Sequence, residues 1–165
     1  LVGGIIAFAF VSRKRDLSIL VLALSAYFAG QVVFIGHDQW GKYSAGVYHL
    51  DAIKGELKES TPIFAVGRYE QSLPFYLRRT TILVEHPDEM EFGLGIQPEL
   101  WIPKREDFVA KWRAIAAQNG SAVAFVRPEI YQEFIQQQVP MRVIGEDPKR
   151  IVIALPLKAQ AAAQR

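Results

Sequence analysis

From Leu17 to Gly36 the chain carries no charged side chain, and Ser18, Ser25, Tyr27 and Gln31 are the polar members of an otherwise apolar or small-residue run. A helix needs about 20 such residues to cross the hydrocarbon core of a bilayer, so this stretch reads as a membrane span. An earlier apolar run, Leu1 to Val11, is about half that length, and Ser12-Arg13-Lys14-Arg15-Asp16 separates the two. We expect that first run to be the end of a span that begins before Leu1. A secretory signal fits poorly, because no basic residues precede the first run and neither run ends in a compelling small-residue cleavage site. Arg13, Lys14 and Arg15 then occupy a short loop, residues 12–16, which the positive-inside rule assigns to the cytoplasmic face. Everything after Gly36 falls outside the cytoplasm.

The segment Gly36-His-Asp-Gln-Trp-Gly-Lys-Tyr43 reproduces the glycine and lysine spacing of a phosphate-binding loop. Its eighth position is Tyr43, which removes the hydroxyl that would hold magnesium, and a membrane span replaces the buried strand that should precede it. We therefore read a membrane exit loop. His37, Asp38, Trp40, Lys42 and Tyr43 are the membrane-interface candidates, with Trp40 and Tyr43 suited to the aromatic belt. A solvated loop without any ligand is the plainer form of the same reading.

Beyond it the pattern changes to that of a folded domain. Val47, Leu50, Ile53 and Leu57 recur at spacings of three and four, which predicts an amphipathic helix from Ser44 to Lys58. Thr61-Pro62 ends it, and the β-branched-rich run Ile63 to Val66 follows as a buried strand that stops at Gly67. A helix comes next, with Ser72 as N-cap and Pro74 in its first turn, where a missing amide leaves no partner wanting. Thr81 to Val84 is a second strand, and two strands joined by a helix of this length form a parallel βαβ unit. Ligands of open α/β sheets sit beyond the carboxyl ends of the strands, so Arg68, Tyr69, Glu70 and Gln71 occupy a possible site.

His49 and Asp51 are too close in sequence to share a helix face and are set aside as a metal pair. His86, Asp88, Glu89 and Glu91 resemble ligands or an acid–base pair, but carboxylates at a helix start ordinarily complement its dipole. A short helix is expected from Asp88 to Leu94, ended by Gly93 and Gly95. The loop Gly95 to Pro103 offers Leu100-Trp101-Ile102 for packing on another part of a larger protein. Lys104 to Gln118 is the clearest soluble helix, stopped by Asn119-Gly120. Ala122 to Val126 is a third strand, Pro128 to Gln138 a further helix, and Arg142–Ile144 with Arg150–Leu155 a hairpin around Gly145 to Lys149. A net charge of +2 over 165 residues gives no case for nucleic acid. The absence of cysteine suits a bacterial envelope protein that avoids stray disulfides.

Val66-Gly-Arg-Tyr-Glu-Gln-Ser-Leu-Pro-Phe-Tyr-Leu77, with Thr80 to Val84 and Asp88-Glu-Met-Glu-Phe-Gly-Leu94, resembles the C-terminal extracytoplasmic domain of the bacterial aminoarabinose lipid A transferases. These are protein-mannosyltransferase-like members of the GT-C membrane glycosyltransferases. The resemblance covers essentially the whole chain and identifies the family better than the acceptor. It implies an α/β fold in which N-terminal transmembrane helices precede a small, three-layer-like extracytoplasmic domain with a mainly parallel sheet and a C-terminal β-hairpin. Residues 1–36 are then transmembrane, 37–157 form the periplasmic domain, and 158–165 are a flexible tail of an inner-membrane protein.

The resemblance further implies a sugar passed from a polyprenyl-phosphate donor to a periplasmic acceptor such as lipid A. The family's catalytic acidic residue belongs to an early extracytoplasmic loop that nothing in this chain matches, so no catalytic residue is expected here and this fragment alone should be inactive. The partners are the bilayer, the donor lipid and a lipid or protein acceptor. No cofactor is called for within the chain, and a divalent metal in the full-length enzyme is left open. The domain's role would be to cap the membrane part, bound the cleft or position a substrate. Arg68, Tyr69, Gln71, Arg78 and Arg79 are the substrate-cleft candidates, since arginines pair with phosphates and tyrosine lines lipid–sugar clefts. Purely structural use of these five competes with that role, and a membrane-anchored, noncatalytic binding or assembly module is the alternative for the whole.

Overall fold

The computed structural model describes residues 2–156. The chain divides into two compact units, Leu1–Ser44 and Ala45–Arg165. In the first, α1 (Val2–Phe10) and α2 (Arg15–Ser44) are joined by a tight turn in which the Arg13 and Lys14 amides donate to the Phe10 carbonyl. Ser18 Oγ donates to the Ala7 carbonyl at 2.6 Å, so the buried hydroxyl is satisfied across the helix pair. Apolar side chains face outward along the middle of α2: Val32, Phe34 and Ile35 are each about two-thirds exposed or more. Among the described residues α2 is the one helix long and apolar enough to cross a membrane.

α2 also corrects the expected exit loop. Residues 36–43 are helical, and the helix continues to Ser44. Gly36 and Gly41 each cost about 1 kcal/mol against alanine, too little to stop an established helix that lacks proline. Asp38 and Lys42 pair at 2.8 Å, one turn apart, and support the extension. The phosphate-loop geometry is thereby excluded, because a helical backbone has no amide cradle there.

In the second unit, the single long helix expected from Ser44 begins instead with a left-handed Gly46, a 3₁₀ turn at Val47–His49 and then α3 (Leu50–Glu56). The chain continues through β1 (Ile63–Val66), α4 (Ser72–Leu77), β2 (Ile82–Val84), α5 (Glu91–Ile96), β3 (Trp101–Ile102), α6 (Arg105–Ala117), β4 (Val123–Val126), α7 (Pro128–Gln136), β5 (Arg142–Asp147) and β6 (Arg150–Ala154). The six strands lie in the order β3-β2-β1-β4-β6-β5. The first four of these are mutually parallel, whereas β6 runs antiparallel to β4 and to β5, as a hairpin at the sheet's end must.

Period-two alternation distributes β1 between two cores. Phe64 and Val66 point to one face, where Phe108, Trp112, Ile130 and Phe134 of α6 and α7 close over them. Ile63 and Ala65 point to the other, against Leu50 and Ile53 of α3 and Leu73 and Leu77 of α4. This is a three-layer α/β domain. Phe108 meets Phe64 edge-on, with ring centroids 5.2 Å apart, and stacks on Phe134 at 5.7 Å.

Local details depart from expectation where tertiary pairing outweighs local pattern. Trp101–Ile102 is an edge strand rather than a loop, because Leu83 and Val84 offer it a parallel partner. The Trp101 indole donates to the Glu85 carbonyl at 2.9 Å and fixes it there. α5 runs through Gly93 and Gly95 to Ile96, and Ser72 is the first residue of α4, with Gln71 preceding it and no side-chain cap. The hairpin turn is shorter than 145–149: β5 reaches Asp147, with a register shift between Val143 and Gly145. The tail, 158–165, lies outside the described residues.

Candidate functional site

The sheet reverses its winding between β1 and β4, so the carboxyl ends of these strands frame the crevice where α/β ligands collect. Gly67 ends β1 with φ +76°, its amide donating to the Val84 carbonyl at 3.2 Å. That left-handed conformation favours glycine, and a Cβ at this position would also have to displace the Ile130 Cδ1 methyl, 2.3 Å away. The turn carries Arg68 and Gln71 outward, leaves Tyr69 half-buried and turns Glu70 inward. Gln71 Nε2 donates to Glu89 Oε1 at 3.1 Å, linking the start of α4 to the start of the α5 segment.

Glu70 enters a buried charge network. Its Oε2 accepts from Arg150 Nη1 at 2.7 Å, and Arg150 is 1% exposed. Since Ile151 pairs with Val126, Arg150 stands one step past the carboxyl end of β4, beside the Arg68–Gln71 turn. Arg150 Nε lies 3.1 Å from Asp147 Oδ2, and His49 Nε2 lies 3.0 Å from the same oxygen. Asp147 Oδ1 accepts the amides of Lys149 and Arg150, which closes the hairpin turn. Burial pushes the Glu70 carboxyl up, and the opposing pull of Arg150 and Arg68 leaves it above its ordinary value. Burial also acts to raise Asp147, but the Lys149 amide, His49 and Arg150 together hold it below its ordinary value.

On the α3–α4 face a cleft of about 410 Å³ opens between α4 and α5 over Leu83. Tyr69, Arg78, Thr81 and Gln97 give it polar walls; Met90 and Leu94 make it apolar. Arg78 caps α4 in the left-handed conformation, φ +50°, and is exposed. Arg79 is committed differently: its guanidinium donates to the carbonyls of Lys58, Glu59 and Thr61 at 3.2, 2.8 and 2.9 Å, tying the end of α4 to the approach to β1. Phe75 and Tyr76 on α4 and Phe92 and Ile96 on α5 are exposed apolar side chains of these two helices.

The model of the aminoarabinose transferase C-terminal domain matches residues 49–155. The chain belongs to this family. Its match covers the α/β domain from His49 to Leu155. Among solved structures, ArnT from Cupriavidus metallidurans bound to undecaprenyl phosphate superposes with a TM-score of 0.76 at 26% identity, over 96% of this chain and 28% of that one. The apo ArnT from the same organism gives 0.75 and 27%, over 93% and 28%. The chain thus spans 28% of the length of these ArnT structures. No curated protein sequence matches it.

Within this aminoarabinose transferase domain, the five sequence-chosen cleft residues do not form one cluster. Tyr69, Arg78 and Arg79 line the α4–α5 cleft, and Arg68 and Gln71 are not among its lining residues. In the N-terminal unit, His37, Asp38, Trp40, Lys42 and Tyr43 all lie on the last turns of α2, with the His37 and Trp40 rings 6.2 Å apart. Sequence reasoning missed Arg150, Asp147 and His49 as members of a site. The one local signal was an arginine at the head of the apolar run Ile151 to Leu155, preceded by an Asp-Pro turn. Among the described residues no group of three or more His, Asp or Glu side chains is arranged to hold a metal.

Proposed function

We propose that the chain forms the C-terminal part of an integral membrane glycosyltransferase that moves a sugar from a polyprenyl-phosphate donor to a periplasmic acceptor such as lipid A. The observation that carries this reading is the superposition, across 96% of the chain, on an ArnT bound to undecaprenyl phosphate. The apolar helix α2 agrees with an inner-membrane protein, and the basic loop 12–16 favours placing the α/β domain in the periplasm. The domain supplies no catalytic residue in this reading. Its contribution is to substrate positioning, through Arg68, Tyr69 and Gln71 at the sheet's carboxyl edge and through Arg78 in the α4–α5 cleft. An exposed arginine pairs with phosphate oxygens in a bidentate way, and tyrosine stacks on a sugar face. Arg79, whose guanidinium already binds three carbonyls, serves the cleft by holding its wall in place.

The test is transfer by the full-length protein in proteoliposomes, with a radiolabelled polyprenyl-phosphate sugar and lipid A as acceptor. Labelled lipid A is the expected product. Binding of undecaprenyl phosphate without transfer to any lipid or protein acceptor would instead indicate a noncatalytic module.

A further inference from the structure

We propose that Glu70 is a positioning residue: anchored through Arg150, it sets the conformation in which the Arg68–Gln71 turn presents its outward side chains. The functional half of this inference rests on the reading that the turn meets substrate. Residues 68–71 belong to no helix or strand, so the sheet and helix ladders do not define their shape. Gly67 fixes one end through its bond to Val84, and Gln71 reaches Glu89 at the other, but that second contact is exposed. Between them Glu70 is the side chain that turns inward, 7% exposed, with Tyr69 half-buried before it. Its partner cannot drift. The Arg150 guanidinium is held on one side by Asp147, itself fixed by the Lys149 and Arg150 amides and by His49. On another side lies Gly46, where a Cβ would come within 2.6 Å of Arg150 Nη1. Three segments distant in sequence, at 46–49, 67–71 and 147–150, therefore converge on one arginine.

A buried ion pair is weak evidence for stability, because two well-packed apolar side chains would serve as well or better. What the pair supplies is a defined geometry: a short, charge-assisted bond at one point of an otherwise irregular turn. That is the requirement for a binding loop whose side chains must be preorganised rather than ordered on contact.

The experiment pairs hydrogen exchange with kinetics in the full-length protein, using the polyprenyl-phosphate sugar and lipid A as substrates. Glu70→Ala removes the anchor while Arg150 keeps Asp147; Glu70→Gln retains an acceptor and covers the case in which alanine fails to fold. We expect exchange across residues 67–71 to accelerate about tenfold or more in Glu70→Ala and less in Glu70→Gln, with β4 unchanged. We expect KM to rise about tenfold with kcat nearly constant, and Glu70→Ala to cost less in an Arg68→Ala background than in wild type, as for residues acting through shared contacts. Unchanged exchange in both variants, or losses that multiply in the double variant, would overturn the proposal. If exchange accelerates while Arg68→Ala leaves KM at the wild-type value, the bracing stands and the substrate-contact reading falls.

Discussion

Two polar regions of the α/β domain, one entered by Glu70 just before α4 and the other by Arg78 at its end, are built on opposite terms. At the carboxyl edge, Glu70, Arg150, Asp147 and His49 are withdrawn from water and bonded to one another. In the α4–α5 cleft, Arg78 is exposed beside apolar walls and Arg79 is consumed by three carbonyls. The comparison separates charge that shapes the protein from charge that remains available to a ligand. Arginine appears in both roles, so residue type alone does not distinguish them. Burial and partners do.

The largest effect should come from breaking the buried region. Arg150→Met leaves two carboxylates buried without their cation, and thermal unfolding should report a loss of about 3–5 kcal/mol. Gly46→Ala attacks the same network from the backbone, since it must adopt φ +70° and meet the Arg150 guanidinium. We expect a loss of about 1–3 kcal/mol in the same assay. The open region should respond in the other observable: Arg78→Ala should leave the unfolding midpoint in place and raise KM about tenfold. A destabilised Arg78→Ala would erase the contrast.

The smallest effect is a tilt with pH, and its sign differs between the two carboxylates. Glu70 has a folded pKa above its ordinary 4.5, so the folded state binds that proton more tightly. Its contribution to stability is present below 4.5 and declines as pH rises through the folded value. Asp147 has a folded pKa below its ordinary 3.8, so its contribution is present above 3.8 and is lost as pH falls through the folded value. Unfolding curves should show wild type losing ground to Glu70→Gln as pH rises above 4.5, and losing ground to Asp147→Asn as pH falls below 3.8.

The same contrast explains what was legible in the sequence. The β1–α4–β2 unit was readable because its signals are local: a β-branched run, Gly67 and a proline near the start of the helix. The two-residue strand β3 was not, since Trp101 and Ile102 become a strand by finding Leu83 and Val84. Gly36 and Gly41 looked like the end of a helix, yet the surrounding side chains let α2 continue. Tyr69 and Arg78 could be singled out as candidates because they flank a recognisable helix. The buried network could not: His49 finds Asp147 across 98 positions and Glu70 finds Arg150 across 80, pairings for which one sequence carries no periodic signal.

The central claim is that this α/β domain serves a lipid-linked sugar transfer, and deletion tests it most directly. Full-length protein and a variant lacking residues 45–156 would be reconstituted at equal levels of membrane insertion and supplied with labelled polyprenyl-phosphate sugar and lipid A. The account predicts labelled lipid A from the intact protein and background transfer from the deletion. Turnover at the wild-type rate without the domain would contradict it.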